Sequence, residues 1–289
     1  MPGPTFDGAK FAFQEPEAVF IEIAWRMIFA AVAITVGFMG IRGFMKSLVV
    51  FKGDLLLSPR LTLGHMLVGG GRSLAHVLVV CFLAISALWL ACASLGRTAI
   101  LERLAEKEFH PGIAILGLNF LRLCIHTAAA LALLGMVIEA GAIANKGYLP
   151  VALVAGLLIG SVTWWIRGVL DELLTIASLF VARNKADCAE SIILAFNVYQ
   201  RRSFDITMTQ IILSAVRAVV FILAMFAWLW LSELASGAPL ILKYAVTAFV
   251  LLLYLGSIDF LQIANVGALR AILIDEQVKG GAIAIYRHT

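Results

Sequence analysis

Charge is scarce in this chain. Asp, Glu, Lys and Arg make up 14% of the 289 residues, against about 25% in soluble domains. Apolar residues stand in their place at 62%, where about 45–50% is usual, and the mean hydropathy is +0.99. A water-soluble domain of this length has no interior large enough for so much apolar surface, so the excess must face lipid. The surplus of Lys and Arg is only +4, and no basic run carries interleaved aromatics. That pattern excludes a nucleic-acid footprint.

Other absences narrow the function. The four cysteines, Cys81, Cys92, Cys124 and Cys188, contain no CxxC spacing, and three lie in apolar stretches. They read as small buried hydrophobes, not as a disulfide framework. The five histidines (His65, His76, His110, His126 and His288) are scattered, with no HExxH and no acids at ligand spacing, so no metal site is expected. The GxSxG, kinase and P-loop patterns are missing as well. No catalytic residue and no cofactor follow from the sequence. The opening residues, MPGPTFDGAKFAFQEPE, lack a basic region followed by a short apolar core. They do not read as a cleavable signal peptide, and the first span is expected to stay as an anchor.

What is present is a series of long apolar segments. The longest, residues 149–183, is 35 residues of nearly continuous helix-compatible sequence, about 50 Å at 1.5 Å per residue. A bilayer core is only about 30 Å thick, so this helix must tilt, bend or protrude. The expectation is that 149–166 crosses the core, Gly168 allows a bend, and 169–182 runs along or out of the inner interface. Ala152, Gly156 and Gly160 form a stripe of small residues that admits a close neighbour inside the bundle. Five further spans are expected at 19–39, 76–95, 113–142, 208–231 and 241–266.

Between the spans lie mixed segments. Residues 41–73 carry short apolar runs broken by Lys46, Lys52, Asp54 and Pro59-Arg60, read as one or two interfacial helices, with Gly69-Gly70-Gly71-Arg72 as a hinge into the second span. Residues 98–108 read as an amphipathic tail at the interface. Residues 189–199 form an amphipathic helix with Ile192, Phe196 and Tyr199 on one face, closed by Arg201-Arg202. The fold class is therefore all-α: a polytopic transmembrane helix bundle of about six spans with interfacial amphipathic helices, residues 1–289 forming one integral membrane domain. No internal repeat is visible, so inverted-repeat transporter architecture is not implied.

Six spans place both termini on one side. Counting Lys and Arg in the loops assigns eleven to the terminal side and seven to the other, which favours cytoplasmic termini in a cell membrane. The first loop, with Arg42, Lys46, Lys52, Arg60 and Arg72, argues the other way.

One constellation stands out. Asn119, Arg122 and His126 recur at i, i+3 and i+7 and share a helix face, while Arg167 and Asp259 each fall about 27 Å into their spans. With this topology, Arg26, Arg122, Arg167 and Arg217 gather with Glu22, Asp171, Glu172 and Asp259 in the cytoplasmic half. Each alone in hydrocarbon would cost about 2.5–3.5 kcal/mol. One reading is a polar site for an anionic substrate or a proton relay, built on Arg122, His126, Arg167, Asp171, Arg217 and Asp259, with His126 titrating. The plainer reading, which the charge balance favours, is interhelical pairing and snorkelling arginines that pin the bundle. A haem between His76 and His126 is disfavoured, because the two fall at different depths.

The phrases Glu22-Ile23-Ala24-Trp25-Arg26, Leu88-Trp89, Ser94-Leu95-Gly96-Arg97, Leu179-Phe180-Val181-Ala182-Arg183 and Asp259-Phe260-Leu261 resemble a group of uncharacterised bacterial six-span membrane proteins. More distantly, the amphipathic helix before the fifth span resembles the membrane domains attached to some glycerophosphodiester phosphodiesterases, which carry no catalytic residues. The resemblance implies a six-span fold in the bacterial cytoplasmic membrane and no reaction. The functional expectation is a non-catalytic integral membrane protein, a scaffold or a subunit of a membrane assembly. Membrane lipids are the expected partners, with other membrane subunits or further copies of the chain as candidates. The alternative is a transporter or lipid-handling protein with a polar site in the cytoplasmic half; an enzyme acting on lipid is the weaker third.

Overall fold

The computed structural model describes residues 3–47, 71–104, 112–234, 237 and 239–280. Among them the chain is helical apart from short caps and turns, with eight helices and no strand. These are α1 (Pro4–Gln14), α2 (Pro16–Ser47), α3 (Gly71–Leu104), α4 (Gly112–Asn145), α5 (Leu149–Asn184), α6 (Cys188–Arg201), α7 (Ser203–Leu234) and α8 (Leu240–Gly280). Six of them, α2 to α5, α7 and α8, contain segments long and apolar enough to cross a bilayer. The fold is an all-α, six-span helix bundle.

Local chemistry explains the breaks. Pro4 and Pro16 open α1 and α2, where a missing N–H costs no helical hydrogen bond. Gly147 turns between α4 and α5 at φ +88, a conformation that favours glycine. Lys185 closes α5 in the left-handed region. The Asp187 side chain then accepts from the Glu190 N–H at 2.8 Å and caps α6.

Three helices differ from the sequence expectation. The segment 98–104, expected at the interface, continues α3, and Ile100 and Leu101 are buried. The sixth span, expected to end at 266, continues as helix α8 to Gly280, with Ile272 and Leu273 buried. Pro4–Gln14, for which no helix was expected, forms α1. The reason is common to all three: hydropathy marks the stretch that meets lipid, whereas these turns are held by other helices. On α6 the inward face is Ser191, Ala195 and Val198, with Ile192 and Tyr199 packed beside it. Ile192, Phe196 and Tyr199 do share one side of the helix, but Phe196 is exposed while the other two are half-buried. Of the stretch 41–73, where one or two interfacial helices were expected, residues 41–47 extend α2 and Gly71 begins α3; 48–70, with Gly69-Gly70, lie outside the described residues.

The chain divides into two compact units, Met1–Ile23 with Gly96–Thr289, and Ala24–Leu95. In the smaller unit, Gly40 of α2 abuts Cys81 of α3 so closely that an added Cβ would lie 2.5 Å from the Cys81 sulfur. In the larger unit, α4 packs on α5 and α7 on α8. Burial concentrates at one end. Leu174 to Ala182 of α5 are buried in an unbroken run and share a cluster with Ile115, Leu118, Ala195, Ile206 and Leu269. This part of α5 is the centre of a protein core. The helix is also continuous through Gly168.

α1 lies on α8 through small residues. A Cβ at Gly8 would overlap the Ala264 carbonyl oxygen and the Ala268 side chain, and one at Gly267 would overlap Phe11. A ring contact between Phe13 and Phe260 and the stacking of Arg270 over Phe11 complete the contact. Near the same end, Arg202 donates to Glu276 at 2.7 Å, Asp275 at 2.9 Å and Asp205 at 3.2 Å. It ties the α6–α7 elbow to the end of α8. Hydrogen bonding to Glu276 raises the Arg202 guanidinium above its ordinary pKa, so it stays charged.

Candidate functional site

The polar residues inside the larger unit form a layer at the border of its packed end. α4 supplies Asn119, Arg122 and His126 on one face, turned toward α5. Arg122 donates through Nε to Asp171 Oδ1 at 2.5 Å, and through its terminal nitrogens to Asn119 Oδ1 at 3.1 Å and Thr175 Oγ1 at 3.0 Å. Thr175 in turn donates to the Asp171 carbonyl at 2.8 Å, and Ser178 to the Thr175 carbonyl at 2.7 Å. The Arg122 side chain is almost wholly enclosed while Asp171 keeps about a third of its surface open, at 5% and 32% exposure. A buried guanidinium held by a carboxylate and two neutral oxygens is the arrangement that makes burial of the charge tolerable.

One turn deeper, Arg167 Nε donates to His126 Nδ1 at 3.2 Å, and its guanidinium stacks on Trp164. That ring nitrogen therefore acts as an acceptor, which gives His126 a partner on α5. Between α5, α7 and α8 runs a chain of amides: Gln210 donates to Asn265 at 3.1 Å, and Asn265 to Glu172 Oε1 at 3.0 Å. The second carboxylate oxygen of Glu172 is buried with no hydrogen-bond partner among the described residues. Arg217 donates to Gln262 at 3.3 Å. Asp259 is buried on α8 one turn before Gln262.

Of the six residues expected from sequence, the structure joins Arg122 with Asp171 and Arg167 with His126. Arg217 of α7 donates to Gln262 of α8. Amides and hydroxyls meet charges of the layer alongside the acids. Sequence reading passed over Thr175, Ser178, Gln210, Gln262 and Asn265. A signal was available: Asp171, Thr175 and Ser178 recur at i, i+4, i+7, and Asp259, Gln262 and Asn265 at steps of three, each set on one helix face.

Beside this layer Glu22, Arg97, Ser178 and Gln262 line a cavity among aliphatic side chains; at about 10 Å³ it has room for roughly one water. Among the described residues no group of three or more His, Cys, Asp or Glu is placed to hold a metal ion. The side chain of His76 lies outside the described residues.

These features define a class: an all-α, multi-pass membrane protein with a polar layer at one end of its packed core. Comparisons with models of known families, with curated proteins and with solved structures give no match.

Proposed function

We propose that the chain is a non-catalytic integral membrane protein, a scaffold or subunit of a membrane assembly, seated in the bacterial cytoplasmic membrane with its termini inside. The observation that carries this reading is the use of the polar layer: Arg122, Asp171, Arg167 and His126 are spent on one another across α4 and α5. Groups engaged in this way position helices and leave little to grip a solute. The orientation rests on the excess of loop Lys and Arg on the terminal side.

The test is extraction from the native membrane in mild detergent, followed by native mass spectrometry. The expected result is a complex with another membrane protein or with further copies of the chain. A lone monomer with nothing bound overturns the proposal. So does loss of a measured solute flux in Arg122→Lys protein that keeps its thermal stability, since a purely structural Arg122 carries no flux.

A further inference from the structure

α1 and α6 share a design that the spans lack. Each turns a narrow face of small residues inward, Gly8 with Ala12 and Ser191 with Ala195. Each turns large apolar side chains outward: Phe6 and Phe13 are 62% and 75% exposed, and Ile193 and Phe196 are 63% and 50% exposed. Helical geometry puts Phe6 and Phe13, seven apart, on the side opposite Gly8, and Ile193 across the axis from Ala195 with Phe196 about 100° round from it. Lys10 stands exposed beside the first pair, and Asn197 and Gln200 beside the second. An exposed aromatic face opposite a packed one has no stabilising reason in water, where it would cost hydration free energy.

The level of these helices identifies what covers them. α1 sits on Ala264 and Ala268 of α8. Those residues lie about 36 and 42 Å along the helix from Leu240 at 1.5 Å per residue. α6 packs with the run 174–182 of α5, about 38–50 Å from Leu149 by the same measure. A hydrocarbon core of about 30 Å, and about 40–45 Å with headgroups, ends within those distances when the opposite helix ends sit at the far surface. Both helices therefore fall at the boundary between acyl chains and headgroups. The polar neighbours suit that level, because a lysine stem can follow the apolar surface while its ammonium reaches phosphate. Phe20, the next member of the seven-residue series after Phe6 and Phe13, is exposed on the first span and continues the apolar surface into the core.

We infer that α1 and α6 are in-plane membrane helices that seat the packed end on one leaflet, with Phe6 and Phe13 and with Ile193 and Phe196 inserted at the acyl boundary. The occupant of these faces is the lipid bilayer itself. Helices of this kind bind through buried apolar area supplemented by attraction to headgroups. The inference holds for either orientation of the termini.

The test uses the full chain in vesicles of phosphatidylcholine with phosphatidylglycerol. A bimane label is placed at Phe6→Cys, at Phe196→Cys or at the exposed Asn184→Cys, with the four native cysteines replaced by alanine. Lipids brominated near the glycerol end of the acyl chain should quench the labels at 6 and 196 several-fold more than the label at 184, and aqueous iodide should show the reverse order. Equal iodide quenching at all three sites overturns the inference. Protection from both quenchers overturns it too, because protein then covers the faces. As a check that needs no substitution, the unmodified chain is irradiated in vesicles holding a lipid with a diazirine high in its acyl chain. Adducts on the peptides containing Phe13 and Phe196 are expected, and their absence overturns the inference.

Discussion

Phe180 and Leu157 stand on the same helix, about 35 Å apart at 1.5 Å per residue, and meet opposite surroundings. Phe180 is 2% exposed within the core cluster, whereas Leu157 is 71% exposed. The division extends to the neighbouring helices. From Asp259 onward α8 is largely buried, and before it the exposed residues predominate; α4 and α7 likewise carry their buried residues in their halves nearest the core. Both regions are rich in large apolar side chains, but every charged residue of α5, and every one of α8 except Lys243, falls in the packed half. What separates them is the alternative each side chain has: in the distal halves lipid replaces protein at little cost, while at the packed end polar groups, short helices and backbone ends need specific partners. The comparison teaches that in this chain stability and specificity reside where helices outrun the hydrocarbon.

The largest expected effect tests that claim directly. Phe180→Ala should destabilise the protein by about 3–5 kcal/mol, as loss of a buried aromatic does, read as a fall in the thermal unfolding midpoint in detergent. Arg122→Ala should cost about 3 kcal/mol by leaving Asp171 without its partner, and adding Asp171→Ala should recover more than half of that loss. No recovery would mean that the pair is not what holds α4 to α5. Gly8→Leu should cost about 2 kcal/mol by forcing a side chain against the α8 backbone, with faster proteolysis within α1 as its second sign.

Two smaller effects sharpen the comparison. Glu172→Gln keeps the acceptor for Asn265 and replaces the oxygen that has no hydrogen bond. It should leave stability unchanged or raise it by up to about 1 kcal/mol. Leu157→Ala should change stability by less than about 0.5 kcal/mol in detergent. A loss near that of Phe180→Ala would show that protein covers the distal half, and the contrast between the two regions would fall.

Much of this was legible in the residues. The six spans follow from hydropathy, because a stretch that must meet hydrocarbon has little freedom in composition. Arg122, His126, Arg167 and Asp171 stood out because charge is rare in such stretches. Thr175, Ser178, Gln262 and Asn265 did not, because a hydroxyl or amide in an apolar helix is unremarkable until a charged neighbour is placed beside it. Amides take part beside the charges for the same reason: Asn265 donates to Glu172 and Gln262 accepts from Arg217, and counting charges alone overlooks them. The outward turn of Phe196 was likewise hidden, since the spacing of Ile192, Phe196 and Tyr199 fits a helix face without saying which side meets the core.

The sequence by itself therefore determined the class, since apolar excess, segment length and charge scarcity answer to the bilayer, a solvent whose demands are uniform along the chain. Only the tertiary structure decided that α3 and α8 continue beyond the expected spans, that Pro4–Gln14 is a helix seated on Ala264 and Ala268, and that Arg122 takes Asp171 and Glu172 takes Asn265. Those outcomes depend on contacts between residues far apart in the chain, such as Gly8 with Ala264 or Glu172 with Asn265. Local pattern carries no record of them, because packing and hydrogen bonding act on distance in space and not on separation in sequence.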